Sequence, residues 1–149
     1  MDRQVIEQKL ESLRRCLARI KQKTPVTAAE LVNDPDAQDV LTLNLTRAVQ
    51  LSVDIGAHLI ASSDQPAPDT MGQTFDVLAS MSLIGPELAL RMKKAVGFRN
   101  IAIHNYKAID WQITHIIATR HIEDFSAFAA SMIDFMEKRE GLRHKRPLE

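Results

Sequence analysis

An arginine, an asparagine, a histidine and a tyrosine stand close together in residues 99–106, which read RNIAIHNY. An imidazole titrates near neutral pH, so His104 can accept or donate a proton under physiological conditions. The planar guanidinium of Arg99 can donate hydrogen bonds to phosphate oxygens, on which charge accumulates in the transition state. These residue types suit cleavage of an RNA phosphodiester bond by attack of its own 2′-hydroxyl, which leaves a cyclic phosphate end.

Neighbouring polar residues could complete such a site. Asn100 could orient the imidazole or bind the substrate, and Tyr106 could stack on a base or bond a phosphate. Lys94 and Lys107 flank the segment and are predicted to bind or orient the substrate. The sequence around these residues has no pair of carboxylates and no His/Cys cluster, so no metal or other cofactor is predicted.

The spacing of Arg99 and His104 places a condition on the site. Five residues rotate a regular helix by about 140° beyond a full turn, so these two side chains diverge. By contrast, Asn100 and His104 share one helix face, and Arg99 and Tyr106 are aligned two turns apart. Two side chains that diverge can bind one ligand if the helix begins irregularly beside Gly97, or if two chains share the site. The second arrangement indicates a cleft at a two-fold dimer interface.

The charges are balanced in number but unevenly distributed. The chain has 19 Lys and Arg against 19 Asp and Glu, giving a formal net charge of zero. Between residues 88 and 107 there are five basic residues and no acid, and a second basic group lies near the C-terminus. A neutral chain can therefore present a positive face to phosphates, although ordinary mixed-charge surface explains the C-terminal group equally well. The two groups are Arg91, Lys93, Lys94, Arg99 and Lys107, and then Lys138, Arg139, Arg143, Lys145 and Arg146.

Composition predicts one domain of residues 1–140 followed by a basic tail of residues 141–149. The chain has 149 residues, of which 45% are hydrophobic, so a substantial core can form. The single Cys16 excludes an internal disulfide. The charged N-terminus does not resemble a secretion signal, and no apolar run approaches the roughly 20 residues that span a bilayer. A cytoplasmic protein that does not enter membranes is expected.

Apolar residues recur at three- and four-residue steps, which predicts an all-α fold: an antiparallel bundle of about five main helices, as a dimer. Helices are expected over about residues 2–22, 36–61, 74–81, 87–96, 99–119 and 121–139, with a loop at 62–69. Thr27 and Glu30 form a capping-box pattern before a short helix, and Asp34 with Pro35 begins the next one. Gly97 is expected to interrupt the chain between two helices.

Residue spacing alone leaves a structural alternative open, because Arg99 could lie on the surface and His104 could bond to a neighbouring helix. The longer segment 97–106, GFRNIAIHNY, resembles the signature of the HEPN superfamily in its HepT-like toxin branch. That signature is Arg, usually a polar residue, then His after four intervening positions, any residue, and Tyr. The similarity extends over most of the chain, including DIGAHLI at 54–60 and TFDVL at 74–78.

The resemblance implies a homodimeric, metal-independent endoribonuclease that is the toxin of a bacterial toxin–antitoxin pair. It implies that Arg99 and His104 are catalytic, and that the antitoxin is a minimal nucleotidyltransferase. It also implies that this partner attaches adenylyl groups to Tyr106, which would bring bulk and negative charge into the RNA groove. An alternative is a non-catalytic module that binds nucleotide or RNA and regulates the nucleotidyltransferase. A third possibility is a helical adaptor, which leaves the Arg/Asn/His/Tyr grouping unexplained.

Overall fold

The computed structural model describes residues 2–145, which form a bundle of seven α-helices and one 3₁₀ helix without any strand in that range. The predicted all-α class is confirmed. The helices are α1 Arg3–Lys23, α2 Ala28–Val32, α3 Pro35–Ala61, α4 Met71–Ser80, α5 Pro86–His104, the 3₁₀ helix Tyr106–Ala108, α6 Trp111–Arg120 and α7 Ile122–Lys145.

Side-chain caps fix where most of the helices begin. Each capping oxygen accepts a hydrogen bond from a backbone N–H of the first turn, which is worth about 1 kcal/mol. Thr70 caps α4, so that helix begins at Met71, three residues before the predicted position. The caps of α1, α2, α3, α4 and α6 are Asp2, Thr27, Asp34, Thr70 and Asp110.

The long helix α3 is the centre of the bundle, because all six other helices pack against it. The core that surrounds it is built from aliphatic side chains of every helix and from a few aromatic rings. Phe75 of α4 and Phe128 of α7 meet edge to face, with ring centroids 5.6 Å apart, and both rings are fully buried. Burial of this apolar surface is the main force that holds α5 and α6 in place.

The predicted break at Gly97 is wrong, and so is the predicted helix over 99–119. Helix α5 runs without interruption from Pro86 to His104, and Gly97 lies exposed in its middle. A glycine in a helix costs only about 1 kcal/mol, and burial of the flanking Val96 and Phe98 outweighs that cost. The helix ends instead at His104, and the φ of −150° and ψ of 70° at the following Asn105 take the chain into the 3₁₀ helix.

The C-terminal helix α7 continues to Lys145, beyond the predicted end at residue 139. Residues 141–145 therefore extend the last helix, and the division into a domain and a basic tail stays a prediction. Arg146 and the rest of that predicted tail lie outside the described residues. Over residues 2–145, none of the helices is both long and apolar enough to cross a membrane.

Gly56 on α3 permits close packing of α4, and we expect its replacement by alanine to destabilise the fold. An added Cβ would lie 2.8 Å from both Leu78 Cδ1 and Thr74 Cγ2, and both side chains are buried. Overpacking typically costs about 1–3 kcal/mol, against a helix-propensity gain of about 1 kcal/mol. Chemical denaturation should therefore show that Gly56→Ala lowers the free energy of unfolding by about 1 kcal/mol.

Gly97 provides the matched control for that measurement. It also lies inside a helix, but a Cβ built there has no atom within 4 Å. Gly97→Ala should raise the free energy of unfolding by about 0.5–1 kcal/mol, through helix propensity alone. Equal effects of the two substitutions would contradict the close packing of α3 against α4.

Candidate active site

The last turns of α5 hold Arg99 beside Asn100. Arg99 Nη1 donates a hydrogen bond to Asn100 Oδ1 at 3.1 Å. The Arg99 side chain is half-buried, and its Nε is buried without a hydrogen-bond partner among the described residues. It forms no ion pair with any acid in that part of the chain. An arginine held in this way keeps donors available for an anion from outside the chain.

His104 is the final residue of α5, and its side chain is exposed. Because α5 is regular from Pro86 to His104, Arg99 and His104 keep the angular separation of about 140° that five helical residues give. An irregular helix start beside Gly97, one of the two routes by which they could converge, is therefore absent. A site shared between two chains, the other arrangement, stays a prediction.

Tyr106 does not continue the helix that carries Arg99, so the predicted alignment of these two residues on one helix is wrong. It begins the 3₁₀ helix, where its hydroxyl donates a hydrogen bond of 2.9 Å to Asp39 Oδ1 on α3. Its ring meets Trp111 edge to face at a centroid distance of 5.9 Å. These contacts hold the phenol in one place while 45% of the residue remains exposed.

Partial burial is the main cause that raises the pKa of Tyr106 above its ordinary value, followed by the hydrogen bond and the negative charge of Asp39. The hydroxyl of Thr42, one turn further along α3, acts in the opposite direction on this pKa. Asp39 is the site residue that the sequence does not reveal. It is 67 positions from Tyr106, and its surroundings in the sequence mark it only as one of a group of acids.

The basic residues of α5 are more neutralised than the sequence suggested. Arg91 pairs with Asp124 of α7 at 2.8 Å, and Lys93 pairs with Asp76 of α4 at 3.0 Å. Lys94, Arg99 and Lys107 form no ion pair with the residues described. These three, and not the whole acid-free stretch, carry the positive charge that is available near residues 99–106.

A groove of about 540 Å³ lies between α5 and α6, and Lys94 lines it. Its walls are mostly apolar, with Phe98, Ile101 and Ile113 among them. None of the other predicted site residues lines this groove, so the structure separates Lys94 from the rest. The structure joins Arg99 to Asn100, and Tyr106 to Asp39 and Trp111, with His104 between these two groups in the sequence.

Within the described part of the chain, no group of three or more His, Cys, Asp or Glu side chains is placed to hold a metal ion. The arrangement instead offers an exposed imidazole, a guanidinium without a counter-ion and a fixed phenol. Such groups can transfer protons and bind an anionic phosphate.

Comparison with known proteins agrees with these features. The family model described as "Ribonuclease HepT-like" matches residues 13–132. An mRNA nuclease HepT of Shewanella oneidensis is 32% identical over 124 residues, which are 83% of this chain and 92% of that protein. A tRNA nuclease HepT of Aphanizomenon flos-aquae is 26% identical over 106 residues, 71% of this chain and 72% of that protein.

A solved structure of similar fold is the tri-AMPylated Shewanella oneidensis HEPN toxin in complex with MNT antitoxin. It superposes with a TM-score of 0.83 at 30% identity, and the match covers 90% of this chain and 99% of that one. The family model spans most of the chain, and the fold agrees over nearly its whole length. The chain therefore belongs to the HepT-like ribonuclease family.

Proposed function

We propose that this chain is a metal-independent endoribonuclease, the cytoplasmic toxin of a bacterial toxin–antitoxin pair. It acts as a homodimer, in which Arg99 and His104 of the two protomers line one RNA-binding cleft. Its nuclease relatives support the activity. The structural relative solved in complex with an MNT antitoxin supports the partner, a minimal nucleotidyltransferase.

The observation that carries this proposal is the state of Arg99. The guanidinium of Arg99 has no carboxylate partner among the described residues, so its charge stays uncompensated within the chain unless an anion binds its Nη groups. A phosphodiester supplies that anion. The hydrogen bond from Arg99 to Asn100 restrains the guanidinium before substrate arrives.

The proposed reaction requires a base and an acid. One His104 imidazole accepts the proton of the 2′-hydroxyl as that oxygen attacks the phosphorus. A water molecule can donate a proton to the 5′-oxygen that leaves, so one Arg99/His104 pair is sufficient for the reaction. Arg99 stabilises the charge on the non-bridging oxygens, and Asn100 and Lys107 bind or orient the RNA. Lys94 is proposed to bind substrate from the adjoining groove.

Neutralisation is proposed to occur by adenylylation of Tyr106. The Shewanella oneidensis toxin of similar fold is AMPylated in its complex with the MNT antitoxin, and Tyr106 is the only tyrosine of this chain. Each adenylyl group adds a negative phosphodiester beside residues that bind RNA, so it repels and obstructs the substrate.

The test is cleavage of RNA by the purified chain, prepared without its partner, in the presence of excess EDTA. We expect products that end in a 2′,3′-cyclic phosphate and a 5′-hydroxyl, identified by mass spectrometry. A matched oligonucleotide with a single 2′-deoxy sugar at the cut position should remain intact. RNA that binds but is never cleaved, even at high protein concentration, would contradict the proposal and favour a binding module.

A further inference from the structure

The hydrogen bond between Tyr106 and Asp39 has a defined donor and acceptor. The phenol donates and the carboxylate accepts, over 2.9 Å, which is a normal distance for proton transfer between oxygens. The Asp39 side chain is exposed and forms no ion pair with the residues described. Its carboxylate is therefore not committed to a cation, and it accepts its hydrogen bond from the tyrosine hydroxyl.

A second group of α3 faces the same phenolic oxygen. Thr42 lies three residues after Asp39 and thus on the same side of the helix. Its hydroxyl is buried, has no hydrogen-bond partner within the described residues, and lowers the pKa of Tyr106. One helix thus places a carboxylate that accepts from Tyr106 and an unpaired hydroxyl on the same side.

We propose that Asp39 is the general base for adenylylation of Tyr106, an inference that rests on the proposed function. As the bond from Tyr106 Oη to the α-phosphorus of ATP forms, the bond from that phosphorus to the β-phosphate oxygen breaks and pyrophosphate leaves. The phenolic proton passes to the Asp39 carboxylate and then to solvent. The Thr42 hydroxyl can donate to the phenolic oxygen while negative charge is present on it.

The protein environment explains why a base is required. A neutral phenol is a weak nucleophile, and activation by an adjacent base is the usual remedy. Burial and the neighbouring carboxylate raise the pKa of Tyr106, so free phenolate is even scarcer at neutral pH than in an isolated tyrosine. The proton must therefore leave as the new bond forms, and Asp39 is already bonded to it.

A purely positioning role makes a different prediction. If Asp39 only oriented the phenol, Asp39→Asn would keep the wild-type rate of adenylylation, because the amide oxygen can still accept the hydrogen bond. If Asp39 accepts the proton, Asp39→Asn should lower the rate of adenylylation as much as Asp39→Ala does. Asp39→Glu should then retain more activity than Asn, although Asn is closer in shape.

The experiment measures the rate at which the intact mass of this chain increases by adenylyl units. The chain is mixed with its nucleotidyltransferase partner and ATP, and the modified residue is mapped by peptide sequencing. Asp36→Asn is the matched control, since it removes the same charge from an exposed position of the same helix, one turn earlier. Thermal unfolding of each variant confirms that the bundle is intact.

We expect Asp39→Asn to slow modification by about 100-fold or more, the size typical of a lost general base, and Asp36→Asn to leave the rate unchanged. Normal modification of Asp39→Asn would overturn the role of Asp39 and leave the proposed function standing. Absence of adenylyl mass on wild-type protein, or its location away from Tyr106, would overturn both the role of Asp39 and the proposed route of neutralisation, and would leave the proposed ribonuclease activity standing.

Discussion

Arg99→Ala and His104→Ala are each expected to lower the rate of RNA cleavage by about 10²–10⁴-fold, with the bundle still folded. His104 is exposed, so its loss leaves no cavity. The core contacts of α5 come from other residues, such as Met92 and Val96. The measurement is single-turnover cleavage of a labelled RNA by purified protein, with the thermal midpoint recorded for each variant.

An exposed arginine at the end of α6 serves as a matched control. Arg120→Ala removes the same side-chain type as Arg99→Ala, from the end of another helix. It should cleave RNA at the wild-type rate. Full activity of Arg99→Ala or His104→Ala, with the thermal midpoint unchanged, would show that the motif is not the catalytic centre.

Mixing the two inactive variants tests whether the site is shared. Arg99 and His104 diverge on one continuous helix, so we expect the working pair to come from different protomers. A mixed dimer of Arg99→Ala and His104→Ala then keeps one intact pair. After subunit exchange at equal concentrations, about a quarter of the wild-type activity should return if each dimer has two equivalent pairs. No recovery despite proven exchange would place the pair within one protomer.

The sequence predicts those features that are determined by neighbouring residues. Thr27 and Asp34 are identifiable as helix caps because a cap acts on a backbone N–H only two or three positions later. The prediction at Gly97 is wrong because the helix-propensity cost of one glycine is smaller than the free energy gained by burying its neighbours. A better signal is present at Asp110, since a capping residue before an apolar run indicates a new helix at Trp111.

The contacts between distant residues of the candidate site could not be predicted from local sequence patterns. Tyr106 and Asp39 are 67 residues apart, and Arg91 and Asp124 are 33 apart. Each pair joins two elements whose relative placement depends on packing of the whole bundle. No periodicity in the sequence encodes such a pairing. The candidate motif could thus be identified from its residue types together with its resemblance to a family signature, whereas the partner of its tyrosine required the fold.

Tyr106→Phe is expected to abolish neutralisation by the nucleotidyltransferase. The substitution removes only the hydroxyl that would accept the adenylyl group, and the ring keeps its edge-to-face contact with Trp111. The lost hydrogen bond to Asp39 is solvent-exposed, so its cost should be at most about 1 kcal/mol. Cells that produce this variant together with the partner should stop growing, whereas the wild-type chain should be silenced.

Three comparisons distinguish loss of modification from other effects. Intact mass should show adenylyl units on wild-type protein and none on Tyr106→Phe, since the chain has one tyrosine. Without the partner, both proteins should inhibit growth equally. Adding His104→Ala to Tyr106→Phe should restore growth, because the toxicity of the variant would come from RNA cleavage. If the partner silences Tyr106→Phe as completely as the wild-type chain, binding rather than adenylylation is what neutralises the toxin.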